Sequence, residues 1–144
     1  MPNKIMVAVD GSDGAQRTVK IAAAHATLAN AELILTYVID WSPYSFHTPE
    51  ELEDRHRRRE SEIQRANDSM LSPHVDALQD SGLTLSTVVR HGKIAETLDE
   101  LVKEYNITQV YVGRIGESKL RSMIFGSVTA ALVQSSTVPV TVVP

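Results

Sequence analysis

Residues 113–127 read GRIGESKLRSMIFGS, and the spacing Gly113-x2-Gly116-x9-Gly126-Ser127 uses three of the seven glycines in the chain directly after the apolar run Val110-Tyr111-Val112. A glycine at the end of a strand permits positive φ and lets a ligand approach the main chain, because no Cβ intervenes. Gly126 stands before a helical pattern in which Ser127 takes the N-cap place. The first N–H groups of a helix have no intrahelical partner, and the helix dipole favours negative charge there. Ser127 and Thr129 add hydroxyl donors, and Arg114, Lys119 and Arg121 add cations to an otherwise acidic chain. Together these groups suit a polyphosphate. The plainer alternative is two turn glycines and a capping Gly-Ser pair.

Other residues able to do chemistry are few. Asp10, in the turn Asp10-Gly11-Ser12, is the carboxylate that the strand pattern brings towards the same place. It can equally cap its own turn, as aspartate commonly does. His91, beside Gly92, is a candidate base or a structural histidine. His25, His47, His56 and His74 show no metal-ligand spacing. No GxxxxGK[ST] and no GxGxxG occurs, which counts against a P-loop and a dinucleotide fingerprint. A pyrophosphatase-type SGGxDS loop is a nearer rival, but Asp10-Gly11-Ser12-Asp13-Gly14 lacks its second glycine and its order. Hydrolysis needs a placed base and an activated water. No nucleophile–base pair is visible, so a slow, incidental ATPase stays open and a dedicated enzyme is not supported.

The elements that must position these residues alternate. Apolar runs over 4–9, 32–39, 84–89, 107–112 and 138–143 read as strands buried on both faces, the parallel kind. Between them lie helical stripes. Ala15, Val19, Ala22, Ala26 and Ala29 form the first, with Asn30 as a left-handed stop. Thr48, Pro49 and Glu51 make a capping box for the second, in which Ser72-Pro73 predicts a kink or interruption. Ile94, Leu98, Leu101, Val102 and Tyr105 form the third, and Ser127 through Ala131, Leu132 and Ser135 the fourth. Five alternations without a long linker predict an α/β fold, a Rossmann-like open parallel sheet with helices on both faces. Ligands in such sheets sit beyond the carboxyl ends of the strands, where the strand order reverses. Three loops can reach that crevice: 10–14, 90–93 and 113–127.

The chain's 144 residues fit one domain, 1–144. It contains no cysteine, which removes disulfides, thiol catalysis and cysteine-ligated zinc. MPNKIMVAVD leads straight into a strand with no signal-peptide core, and no apolar stretch reaches the ~20 residues that cross a bilayer. The expected setting is the cytosol, with no membrane. A net charge of −4 argues against sequence-independent nucleic-acid binding. The segment EELEDRHRRRESEIQR reads as a solvated helix whose first turns overhang the sheet, with Glu51–Arg55, Glu53–Arg57 and Asp54–Arg58 paired; an arginine cluster for an anionic partner is the alternative. Pro139 cannot donate to a ladder, so 138–143 belongs at a sheet edge that invites pairing, or else at a short protected edge of a monomer.

KIMVAVDGS, ELILTYVID, HGKIAETL, the glycine motif and the ending SSTVPVTVVP together resemble the universal stress protein family over nearly the whole chain. G-x2-G-x9-G-[S/T] resembles the signature of its ATP-binding branch. The resemblance implies a five-stranded sheet of order 3-2-1-4-5, a homodimer joined through strand 138–143, and a nucleotide-dependent role in stress response that leaves room for a further protein partner. It implies that Ala8, Val9 and Asp10 line the adenosine side and that Val38 offers main-chain hydrogen bonds to adenine. Val112, Gly113, Gly116, Gly126, Ser127, Val128 and Thr129 would hold ribose and phosphates, with Arg114 beside them. The implied ligand is ATP with Mg²⁺ or Mn²⁺ bridging the phosphates. The second-ranked reading is an ATP-hydrolysing or nucleotidyl-transferring enzyme of the related ATP-pyrophosphatase-like class. This chain departs from the family's pattern at Ala8, Ile94 and Ile115. The loop 113–125 is expected to take up order when phosphate binds.

Overall fold

The computed structural model describes residues 3–12, 14–40, 48–114 and 126–144, and the backbone alone at Leu52, Arg55 and His56. Five parallel strands, β1 (Lys4–Ala8), β2 (Glu32–Asp40), β3 (Leu85–Gly92), β4 (Gln109–Gly113) and β5 (Val140–Val143), form one sheet of order β3-β2-β1-β4-β5. Successive side chains of a strand point to opposite faces. Ile5, Val7, Leu33, Leu35 and Tyr111 therefore pack on one side against helix α1 (Gly14–Ala29). Met6, Ile34, Val38, Val110 and Val112 pack on the other against α4 (Ile94–Glu104) and α5 (Ser127–Ser135). Because both faces are covered, the strands read as continuous apolar runs rather than alternations. The chain leaves β1 towards β2 and later crosses to β4 on the opposite side, so the strand order reverses beside β1, between β1 and β4.

Helix α1 lies close to the sheet because its buried stripe is small: Ala15, Thr18, Val19, Ala22, Ala23 and Ala26. Ala29, expected in that stripe, is exposed. Asn30 stops the helix at φ 50°, and the Ala31 N–H donates to the Ala26 carbonyl at 2.8 Å. Asn106 does the same for α4 at φ 55°, with Ile107 N–H donating to the Val102 carbonyl at 2.9 Å.

The second helical region shows both the expected start and a differently placed break. Thr48 Oγ1 accepts from Glu51 N–H at 3.2 Å, and Glu51 Oε2 accepts from Thr48 N–H at 3.0 Å, so the capping box opens α2 (Pro49–Ala66). Apart from the half-buried Arg59 and Ile63, the side chains described before Ala66 are exposed, so α2 overhangs the sheet. Arg57 pairs with Asp54 at 3.1 Å rather than with Glu53. A π-helical turn at Asn67–Leu71 comes before α3 (Ser72–Ala77), one turn earlier than the Ser72-Pro73 interruption. In a regular α-helix the Pro73 ring would crowd the carbonyl four residues back, and the widened turn lies just before it, with Leu71 fully buried in the core.

β3 is longer than its apolar run. Arg90, His91 and Gly92 were expected in a loop reaching the crevice, yet they continue the strand opposite Val38, Ile39 and Asp40. As an edge strand it tolerates polar residues that find partners. Arg90 donates to Glu104 at 3.1 Å and Tyr105 Oη at 3.3 Å, and His91 Nε2 lies 2.8 Å from Glu62 Oε2 of α2. Gly92, at φ 154°, makes the strand-to-helix turn where an added Cβ would lie 2.3 Å from Thr97 Oγ1. β5 begins at Val140, and Val138 and Pro139 lead into it, with the Pro139 carbonyl accepting from Val110 N–H at 3.0 Å.

Candidate functional site

A cavity of about 460 Å³ opens over the carboxyl ends of β1, β2 and β4, within the range of small-molecule sites. β1 and the turn after it contribute Ala8, Val9, Asp10 and Ser12, and α1 contributes Ala15 and Thr18. β2 contributes Tyr37, Val38 and Asp40, with Ile94 and Leu98 of α4 beside them. β4 and α5 close the far end with Val112, Gly113, Gly126, Ser127, Val128 and Thr129.

At that far end the first intrahelical bond of α5 runs from Ala130 N–H to the Gly126 carbonyl at 2.9 Å. The N–H groups of Ser127, Val128 and Thr129 precede it and have no intrahelical acceptor. Gly126 is the N-cap residue at φ −64° and ψ 161°, so Ser127, expected as the cap, is the first helical residue. Neither Gly113 nor Gly126 has positive φ; among the described residues the positive-φ glycines are Gly82 and Gly92. What the two glycines provide here is the missing side chain.

Thr129 Oγ1 donates to the Gly113 carbonyl at 2.6 Å and the residue is 2% exposed. Its hydroxyl hydrogen is therefore committed to tying α5 to the end of β4, and is not the free donor expected of it. Arg114 lies outside the lining: its N–H donates to the Val143 carbonyl, its carbonyl accepts from Gly126 N–H, both at 2.8 Å, and its side chain is exposed. Gly116, Lys119 and Arg121 lie outside the described residues, as do Ile115 and the rest of 115–125. Among the described residues this end of the cavity thus offers main-chain amides, with Ser127 the other hydroxyl-bearing residue of the lining there.

The opposite end has a different character. β2 stays paired with β3 as far as Asp40, whereas its pairing with β1 ends at Thr36, followed by a bond from Val9 N–H to the Thr36 carbonyl at 2.8 Å. Alternate residues of a parallel strand turn their N–H and C=O to the same neighbour. Leu33 faces β3, so Thr36, Val38 and Asp40 face β1. Past the end of β1, Val38 presents a donor and an acceptor that find no backbone partner among the described residues. Around that polar edge lie the apolar side chains of Ala8, Ile94, Leu98 and Val112.

Of the residues singled out in the sequence, Ala8, Val9, Asp10, Val38, Val112, Gly113, Gly126, Ser127, Val128 and Thr129 meet around this one cavity. Sequence reasoning missed Tyr37 and Asp40, which line it because β2 outlasts β1, and Thr18, which sits in the buried stripe of α1. His91 is not in the lining and is held against α2 by Glu62. Among the described residues no group of three or more His, Cys, Asp or Glu could hold a metal ion. No helix among them is long and apolar enough to cross a membrane.

The sequence model of the Universal stress protein family matches residues 1–144. "Universal stress protein YxiE" of Bacillus subtilis (strain 168) is 29% identical over 150 residues, 99% of each chain. The solved structure of universal stress protein UspA from Lactobacillus plantarum superposes with a TM-score of 0.81 at 26% identity, covering 99% of this chain and 97% of that one. A universal stress protein from Archaeoglobus fulgidus, solved in complex with dAMP, superposes with a TM-score of 0.67 at 19% identity, covering 99% of this chain and 98% of that one.

Proposed function

This chain belongs to the universal stress protein family, and we propose that its crevice binds ATP as part of a nucleotide-dependent regulatory module. The observation that carries the reading is the set of three amides at Ser127, Val128 and Thr129, which find no acceptor among the described residues and belong to the lining of the same cavity as the edge at Val38, which has no backbone partner among them. The two ends are about two strand spacings apart, roughly 10 Å, which is the reach of a nucleotide from base to phosphates. The phosphates take the amides and the positive end of the α5 dipole. Adenine takes the N–H and C=O of Val38, with its faces against Ile94, Leu98 and Val112. The ribose lies between them, over Ala8, Val9 and Asp10. An A. fulgidus relative solved with dAMP is in keeping with an adenine nucleotide in this fold.

The residues at the phosphate end, Gly113 and Gly126–Thr129, carry no carboxylate. A Mg²⁺ or Mn²⁺ ion would accordingly be held mainly by phosphate oxygens, as Mg²⁺ commonly is. Bound ATP would act by changing the surface that the α5 end offers to a protein partner. The competing enzymatic reading rests on Asp10 alone among the bases considered, since His91 is turned to Glu62.

Calorimetry with Mg·ATP tests the proposal. Wild-type protein should bind one nucleotide per chain, and Gly126→Val should bind none while keeping its fold. Gly126 occupies backbone angles that any residue adopts, so the valine meets no penalty from φ and ψ, and thermal melting of the variant checks that lost binding is not lost folding. Equal affinity in both proteins would refute this placement of the phosphates.

A further inference from the structure

We infer that Ser12 is a positioning residue that makes the crevice read a ribose hydroxyl, acting through Asp10. The inference rests on the nucleotide placement above and assigns Ser12 a part in sugar selectivity. Asp10 and Ser12 both line the cavity. Ser12 N–H donates to Asp10 Oδ1 at 3.0 Å, and Ser12 Oγ donates to the same oxygen in a second, short contact. Both donors converge on Oδ1, and Oδ2 accepts no hydrogen bond among the described residues. The two roles open to Asp10 in the sequence are thereby divided between its two oxygens: one caps the turn and the other is left for a ligand.

The torsion that rotates a carboxylate about its Cβ–Cγ bond is broad, so an unrestrained Asp10 would sample many orientations. Two donors on a single oxygen fix the plane and aim Oδ2. An ionised carboxylate only accepts hydrogen bonds and repels phosphate. The portion of a nucleotide that offers hydroxyl donors and lies one strand spacing from the amide cradle, about 4.8 Å, is the sugar. A correctly aimed carboxylate gains the strength of a charge-assisted bond to such a hydroxyl, and a freely turning one forfeits most of it.

The test is calorimetry with ATP, 2′-deoxy-ATP and 3′-deoxy-ATP on wild-type protein, Ser12→Ala and Ser12→Thr, with thermal melting of each protein as a check on folding. Wild type should prefer ATP over at least one deoxy analogue by about tenfold, the scale of one hydrogen bond to a charged group. Ser12→Ala, which keeps the main-chain donor and loses the hydroxyl, should narrow that preference to about threefold, chiefly by weakening ATP, and Ser12→Thr, which keeps the hydroxyl, should restore it. If Ser12→Ala keeps the preference, or weakens all three nucleotides by the same factor, Ser12 does not position Asp10 for the sugar. A wild type that binds all three equally overturns this inference and leaves ATP binding standing. A wild type that binds none overturns both.

Discussion

Thr129 shows how much the site depends on single atoms. Its hydroxyl joins the first turn of α5 to the Gly113 carbonyl at 2.6 Å, in a place 2% exposed. Thr129→Val keeps the shape and deletes the donor to the part-buried Gly113 carbonyl. The expected cost is about 1 kcal/mol of stability, measurable as a lower urea midpoint. ATP affinity should fall with it, because the three amides move with that turn; a variant with unchanged midpoint and unchanged affinity would remove Thr129 from this role. At this scale the sequence was informative where a motif supplied spacing, as for Gly113, Gly126 and the three residues after it. It was silent on Asp40 and Tyr37, whose exposure to the cavity depends on where β1 stops, and it could not tell that Thr129 spends its hydroxyl on the fold. Gly113 and Gly126 do not have positive φ, the equally available explanation, and both leave the cavity lining without a side chain.

Among the elements, the sheet and its helices followed from apolar runs and 3.6-residue stripes, and most departures come from polar residues that tertiary partners retain. β3 carries on through Arg90 and His91 because Glu104, Tyr105 and Glu62 reach them from α4, its C-cap and α2. No window of hydrophobicity contains that information. The π turn before Pro73 likewise reflects a compromise between the proline ring and the seat of Leu71. Gly92 is the point where the β3–α4 connection is most constrained. Gly92→Ala meets both a backbone angle foreign to side chains and a contact of 2.3 Å with Thr97 Oγ1, so it should cost roughly 3 kcal/mol. Adding Thr97→Ala should recover only the steric part. Chemical denaturation of the two variants checks this, and a Gly92→Ala protein as stable as wild type would show that the turn adapts freely.

For the whole molecule, the crevice sits where the strand order reverses, and β5 is the edge strand at the far side of the sheet, with no further strand beside it among the described residues. We propose that this edge pairs with a second copy to give a homodimer. The carbonyls of Pro139 and Val143 accept from Val110 and Arg114, so the odd-numbered residues face β4 and Val140 and Val142 turn their N–H groups outward. Val142→Pro removes one outward donor and spares the ladder to β4. Sedimentation should then show a folded monomer where wild type is a dimer, and a dimer that survives the substitution would place the interface elsewhere. The fold order was expected from family resemblance and is the order observed; the amide cradle is a reading that the glycine spacing and helix chemistry suggested. The central claim is that those amides hold the phosphates, and a backbone NMR titration addresses it directly. Mg·ATP should shift the Ser127, Val128 and Thr129 amide resonances and slow their exchange, whereas adenosine, which lacks phosphates, should perturb Val38 and leave those three nearly unmoved. Saturation with ATP that leaves the three amides unshifted would contradict the account.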